Sequence, residues 1–501
     1  MPLESLLLSP VSPVSPTNRK RRITPSRESE YKYCLILQKS LLPVQDTLNF
    51  ADLLSALPCI SSPFPEGILN VDRKFMLPHA DTEPRDHSIE AQHPLHIILP
   101  FDLQRDPSAF NPENRKYLYA IFPDVEVISF DKRFLRFYMN KLPSKPWPRT
   151  IAGVPAYFTS DPTNEGPIAP IKRASSSRTR LSDDIDCRYD PTKRRQLFEL
   201  IQKHFLKVKI GIYEIRYWSN FVVIVLDSDD TDMTAVPRAV ASCPCYYLFE
   251  SEMGRRRDAP VLATKESHGD IYDDSQYTVL RPGIMLSSGV DEESGQELLT
   301  TSGILVQDMN GDQFMTAASQ GVQHGQKVFH PHQNGREIGE AIMELPYTDI
   351  ALVRLHDNET FLNEFFESNH MLKPAPSLRG FIRSSEVASG STVFMDSAFT
   401  GYEEGIVGCH SVTRIPTHDP HDPHGPATME WIETRWDYFG QGSSQKYVDG
   451  AHGSVIWDGD GKILGFFRYA PASGHFVDWR HSLSVDHLID KGFTVGEAMR
   501  R

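Results

Sequence analysis

The chain has 501 residues, 40% of them hydrophobic and 24% charged, with a formal net charge of -14. That length calls for several cores of ordinary domain size, and the composition is that of a soluble globular protein with no apolar run near the roughly 20 residues that cross a bilayer. The acidic balance argues against nucleic acid as a partner of the whole chain, because phosphate affinity comes from concentrated Lys and Arg.

Residues 1–28 are rich in Ser, Pro, Arg and Lys and poor in large apolar side chains, so burial cannot offset the entropy of ordering them. A disordered tail is expected there. The start, with three consecutive leucines but no basic segment ahead of them, lacks the pattern of a secretory signal. Within the tail, Arg19, Lys20, Arg21 and Arg22 follow three Ser-Pro pairs, the pattern of a nuclear import signal beside proline-directed phosphorylation sites. The six cysteines (Cys34, Cys59, Cys187, Cys243, Cys245, Cys409) include no CxxC pair and lack disulfide-framework density. Together these features lead us to expect an intracellular protein, cytoplasmic or nuclear, with no membrane association.

Residues 29–142 mix short apolar runs with many prolines and have no fold legible from pattern. In the next segment, 143–250, Asp190-Pro191 supplies a helix cap and a first-turn proline, and Leu197, Leu200, Ile201, Phe205 and Val208 recur at helical spacing. A helix over 191–208 is predicted. After it, β-branched and aromatic residues at 212–217 and 221–226 flank Ser219-Asn220 and predict a hairpin. Helix and hairpin together predict a small α+β domain, ending in a polar connector over 251–275.

Beyond Leu280 the pattern changes to short strands separated by Gly, Asn and Asp turns. Strands are predicted at 303–306, 313–317, 348–355, 392–395, 428–438, 453–458 and 463–469, with Asn310-Gly311 as a type I′ hairpin turn. Many short strands without a long helix predict a barrel or sandwich over 276–501. The fold class expected for the whole chain is therefore multidomain α+β.

Three segments of the last region resemble, in order, the triad-bearing segments of chymotrypsin-like serine proteases. Phe314-Met315-Thr316-Ala317-Ala318-Ser319-Gln320 resembles the strand end that delivers the histidine base. Thr348-Asp349-Ile350-Ala351-Leu352-Val353 resembles the strand carrying the orienting aspartate, and Gly450-Ala451-His452-Gly453-Ser454 the nucleophile turn. From about residue 143 onward the chain also resembles an uncharacterised family of fungal proteins with a trypsin-like serine/cysteine peptidase domain. That resemblance rests on Ile151-Ala152-Gly153-Val154-Pro155, Ala235-Val236-Pro237-Arg238, the run from Leu280 to Gly289 and the Asp349 segment. It implies a chymotrypsin-like double β-barrel at the C-terminal end.

The chemistry of such a fold needs a histidine that takes a proton from Ser or Cys, a carboxylate that holds the imidazole, and backbone amides for the oxyanion. Here the base position falls on Gln320, or on Ser319 if the segment aligns without a one-residue insertion. The nucleophile position falls on His452, and only Asp349 matches. Gly450 and His452 remain candidates for oxyanion-hole amides. The expectation is a pseudoprotease that binds an extended peptide or a protein loop. The alternatives are a rearranged peptidase or esterase, in which His324 or His452 cooperates with Asp349 and with Ser454 or Cys409, and a purely structural scaffold. His418, His421 and His424, with Asp419 and Asp422, could ligate Zn²⁺ or Ni²⁺, but a proline-rich loop does not preset ligands, and neither a metal nor a cofactor is expected.

Overall fold

The computed structural model describes residues 96–497 except 146, 165, 168–169, 182–184, 188–189, 220, 242, 255–272, 291–294, 296, 323–324, 346–347, 367–376, 418–427, 442, 444–448 and 472. The Ser-Pro tail with Arg19 to Arg22, Cys34, Cys59, His324, His418, His421 and His424 lie outside the described residues. No helix among the described residues is long and apolar enough to cross a membrane.

The first unit is a five-stranded sheet of β1 (His96–Ile97), β2 (Val127–Phe130), β3 (Leu135–Tyr138), β4 (Thr150–Ile151) and β5 (Val154–Thr159), in the order β1-β4-β5-β3-β2. Helix α1 (Pro112–Ile121) begins where Asn111 accepts a hydrogen bond from the Asn114 amide at 2.9 Å and proline fills the first turn. Leu118 and Ile121 of α1 join Phe122, Phe137 and Phe158 in the core, where Phe137 and Phe158 stack with centroids 5.0 Å apart. The β4–β5 turn uses Ala152 and Gly153 at φ 51° and 79°, and a Cβ at Gly153 would sit 2.4 Å from Asp102 Oδ1. The boundary expected at residue 142 therefore cuts this sheet. β4 and β5 pair with β1 and β3 and share their core, so the unit runs to Thr159.

The second unit comprises β6 (Arg180–Leu181), α2 (Arg194–Val208), β7 (Ile212–Tyr217), β8 (Val222–Leu226), β9 (Ala239–Val240) and β10 (Cys243–Phe249). A short 3-10 turn, Pro191–Lys193, leads into α2, with Asp190 accepting from the Thr192 amide; the helix stops at Lys209 in the left-handed region. Leu197, Phe198, Ile201 and Phe205 put its apolar face against the β7–β8 hairpin, as the spacing predicts. This unit does not end at its own edge. β7 pairs antiparallel with a strand of the last barrel, Tyr217 opposite His410, so the two share one sheet.

The remainder holds two closed cylinders. In the first, β11 (Val279–Leu280) precedes β12 (Met285–Val290), β13 (Glu297–Thr301), β14 (Leu305–Gln307), β15 (Gln313–Ala318), β16 (Lys327–His330), β17 (Arg336–Glu344) and β18 (Ile350–Leu355); β19 (Thr360–Phe361) returns to β11. β13 and β14 are the halves of one strand bent at Ser302-Gly303, where a Cβ on Gly303 would lie 2.0 Å from Thr316 Oγ1. Pairing runs β12-β13/β14-β15-β18-β17-β16 and back to β12. Asn310-Gly311 does make a hairpin, but of another type than expected. Only Gly311 has positive φ, at 90°, and the Gly311 amide donates to the Asp308 carbonyl, which is a type I turn followed by a left-handed glycine.

The second cylinder follows β20 (Gly380–Phe381) and repeats the order with β21 (Thr392–Ser397), β22 (Gly401–Thr417), β23 (Thr428–Tyr438), β24 (Val455–Trp457), β25 (Lys462–Tyr469) and β26 (Trp479–Ser484). Its ring is β21-β22-β23-β26-β25-β24. A short helix, α3 (Asp486–Asp490), leads to β27 (Thr494–Val495), which crosses back to pair with β14 of the first cylinder. Each barrel fills its own interior. A third cluster lies between them, where Ile304, Phe314 and Leu352 meet Val455, Trp457, Phe466 and Leu483. Each such side chain taken fully out of water contributes about 1.5–3 kcal/mol, which is what fixes one barrel against the other.

Candidate functional site at the barrel junction

Two neighbouring strands of the first barrel set up one side of the site. β15 and β18 pair with Ala318 opposite Ile350, so Ser319, just past the end of β15, faces Asp349, just before the start of β18. The Ser319 hydroxyl donates to Asp349 Oδ1 at 2.8 Å, and the Gln320 backbone amide reaches the same oxygen at 3.2 Å. It is therefore the Ser319 side chain that stands before the carboxylate, whereas Gln320 contributes only its amide. Ser319 Oγ also lies 3.1 Å from Glu344 Oε1.

The other oxygen of Asp349 meets a residue that sequence reasoning did not single out. Arg468, next to last in β25, places Nε 3.6 Å from Asp349 Oδ2, with side-chain exposures of 14% and 5%. The signal available in the sequence was a single cation inside the otherwise apolar run 463–469, a position more often occupied by an exposed edge residue.

The turn that carries His452 enters from the second barrel. A 3-10 turn, Asp449–Ala451, precedes β24, and the residues after it are held on both sides: the Gly453 amide donates to Phe467 O at 3.0 Å, and the Phe467 amide to Ser454 O at 2.8 Å. The first barrel grips the same turn. Thr301 Oγ1 donates to Gly450 O at 2.8 Å, and Thr300 Oγ1 and the Thr301 amide donate to His452 O at 3.0 and 3.3 Å. Gly450 and His452, whose amides the sequence offers for an oxyanion, are thus anchored through their carbonyls.

The fit is close. A Cβ on Gly453, at φ 84°, would come within 2.8 Å of the Ala318 amide nitrogen, which places the His452 turn directly on the strand end that carries Ser319. The half-buried His452 ring lies parallel to Phe467, with centroids 5.7 Å apart and planes at 9°.

The substitute nucleophiles behave as core residues. Ser454 is 0% exposed and its hydroxyl donates to Ala451 O at 2.6 Å. Cys409 is fully buried, and that burial pushes its thiol far above the ordinary range. Of the further histidines in this half of the chain, His330 is locked between Met285 O and the Tyr277 amide, and His332 pairs with Glu297. No group of three or more metal-ligating side chains assembles among the described residues.

No family model matches the chain, and no curated protein matches it in sequence. Among solved structures, a protease from Nocardiopsis is 15% identical, with 43% of this chain covering 97% of it at a TM-score of 0.30. Protease A of Thermobifida fusca is 13% identical, with 44% and 99% covered, and the Cellulomonas bogoriensis chymotrypsin 14%, with 44% and 98%, both at 0.30. The repeated strand order, the closure of each cylinder and the position of the three segments at their junction carry the conclusion: the C-terminal part of this chain is a chymotrypsin-like double β-barrel.

Proposed function

We propose that this double barrel works without peptidase chemistry and holds an extended peptide or a loop of another protein at the junction between its barrels. The observation that carries this reading is the engagement of Asp349. Its carboxylate is taken up by Ser319 Oγ, the Gln320 amide and the Arg468 guanidinium, and among the described residues no imidazole reaches it. A serine cannot accept a proton near neutral pH, and an imidazole in the His452 turn cannot replace an oxygen or sulfur in acyl transfer by this route. Loss of base and nucleophile together costs about 10⁶ in rate in enzymes of this mechanism. Strand addition along a barrel edge depends on main-chain hydrogen bonds, which survive that loss.

The test has two arms. Full-length protein is treated with a fluorophosphonate probe and with casein, and no saturable labelling or hydrolysis is expected; activity that disappears in Asp349→Ala would overturn the first half of the reading. Photo-crosslinking is then compared between wild type and His452→Trp, which fills the junction. Partners lost on substitution support peptide binding. Identical partners, or none in either case, identify the barrels as a scaffold.

A further inference from the structure

Away from the barrel junction, a cavity of about 200 Å³ opens where the N-terminal end of α2 meets the second barrel. Arg194, Arg195, Arg383, Ser384, His410 and Glu433 are among its walls. Most of its charges are matched. Arg195 lies 3.0 Å from Glu433 and 3.4 Å from Asp490, and Arg383 lies 2.8 Å from Asp490 and 3.4 Å from Asp486. Ser384 and Ser484 complete the shell of Asp486, with the Ser384 amide at 3.0 Å and Ser484 Oγ at 2.8 Å.

Arg194 is the exception. It is 8% exposed, yet among the described residues its only hydrogen bond runs from Nη1 to the Ser384 carbonyl at 3.2 Å, its Nε has no partner and no carboxylate forms an ion pair with it within 4 Å; Glu433 and Asp486 act on it only from farther away, and the Tyr217 ring lies 5.8 Å from it. A buried guanidinium left in that state is costly, and proteins ordinarily neutralise it. Beside it, His410 is 3% exposed. Its Nε2 donates to Val387 O at 2.9 Å, while Nδ1 has no partner among the described residues. Because a carbonyl only accepts, Nε2 carries the proton of the neutral ring and Nδ1 is left as a bare acceptor. Burial, reinforced by the Arg194 and Arg435 charges, keeps the imidazole neutral.

The cavity therefore places a cation without a direct ion pair beside an acceptor without a partner among the described residues. We propose that it binds a small oxyanion that also carries an O–H, the anion lying against Arg194 and the hydroxyl donating to His410 Nδ1. Inorganic phosphate, which keeps a proton at neutral pH, and an α-hydroxy carboxylate are the two simplest sources of that chemistry. Sulfate and acetate match them in charge type and lack the donor. Such a ligand would fasten α2 to the barrel, because Arg194 belongs to the helix and His410 to β22. The site is independent of the peptide-binding reading, since none of its residues lies at the barrel junction.

The experiment is calorimetric titration of the full-length chain at about pH 7 and constant ionic strength with phosphate, glycolate, sulfate and acetate. Saturable binding of phosphate or glycolate is expected, with the anion of the same class lacking the O–H at least about tenfold weaker; whichever donor-bearing anion binds more tightly identifies the source. Arg194→Met should abolish binding while leaving the ligand-free protein no less stable, because an unpaired buried charge is gone. No saturation by any of the four anions, equal affinity of whichever donor-bearing anion binds and its counterpart lacking the O–H, or an unchanged response in Arg194→Met would each overturn the proposal. The comparison of anions on wild type decides the matter by itself if Arg194→Met fails to fold.

Discussion

Arg468 and Asp349 form an ion pair across the barrel junction, Nε to Oδ2 at 3.6 Å, with one partner on β25 of the second barrel and the other at the start of β18 of the first. The pair joins the two cylinders electrostatically at the point where the His452 turn also crosses. Its removal from one side leaves a carboxylate that is 7% exposed and, among the described residues, retains only the Ser319 and Gln320 donors. Arg468→Met should therefore destabilise by about 2 kcal/mol, less than a fully orphaned buried charge because those two hydrogen bonds persist. Adding Asp349→Asn should recover part of the loss, and a double-mutant cycle from urea melts measures the coupling. Additive losses would show that the two groups do not interact.

Ser454 is predicted to be structural. Ser454→Ala removes the 2.6 Å hydrogen bond to Ala451 O and should cost about 1 kcal/mol of stability, with no change in labelling by a fluorophosphonate. Labelling of wild type that vanishes in this variant would instead make Ser454 a nucleophile.

The described thiols are expected to be inert in the folded state. Cys187, Cys243, Cys245 and Cys409 are all buried, and burial raises the Cys187 thiol to about 11 and those of Cys245 and Cys409 further. Peptide mapping after brief iodoacetamide treatment near pH 8 should find these four unmodified until denaturant is added. Rapid alkylation of Cys409 in native protein would show that its strand opens.

Stability should fall on mild acidification. Burial lowers the proton affinity of His410 and His487 in the folded chain relative to the ordinary value of 6.5. Below about pH 6.5 the unfolded chain therefore takes up protons that the folded chain does not, so stability present above that pH is lost as pH falls, by about 1.4 kcal/mol per pH unit for each histidine fully excluded from protonation. Urea melts between about pH 7.5 and 5, above the range where most carboxylates titrate, should show this slope, and His410→Leu should reduce it. A flat profile in wild type would mean that both rings accept protons in the folded state.

The sequence by itself determined the local features whose signals are local. The cap and apolar spacing of α2 survive because a helix face is written in neighbouring residues, and β15, β18, β21, β23, β24 and β25 are legible from β-branched and aromatic runs between turn residues, whereas β16, β17, β22 and β26 are not. The order of the three protease-like segments was legible too, and so was the barrel. Tertiary structure decided what depends on pairing at a distance. Strands β4 and β5 belong to the first unit because they pair with β1 and β3, and the edge of the α+β unit disappears because Tyr217 lies opposite His410, two residues 193 positions apart. At the site, the choice between Ser319 and Gln320 rested on which side chain the β15–β18 register turns toward Asp349, a question of two-residue periodicity that no motif contains. Arg468 left only the weak signal of a lone cation in an apolar run and Arg194 none, since what sets each apart is the burial of its charge and the groups that meet it, and those are fixed only when separate elements pack.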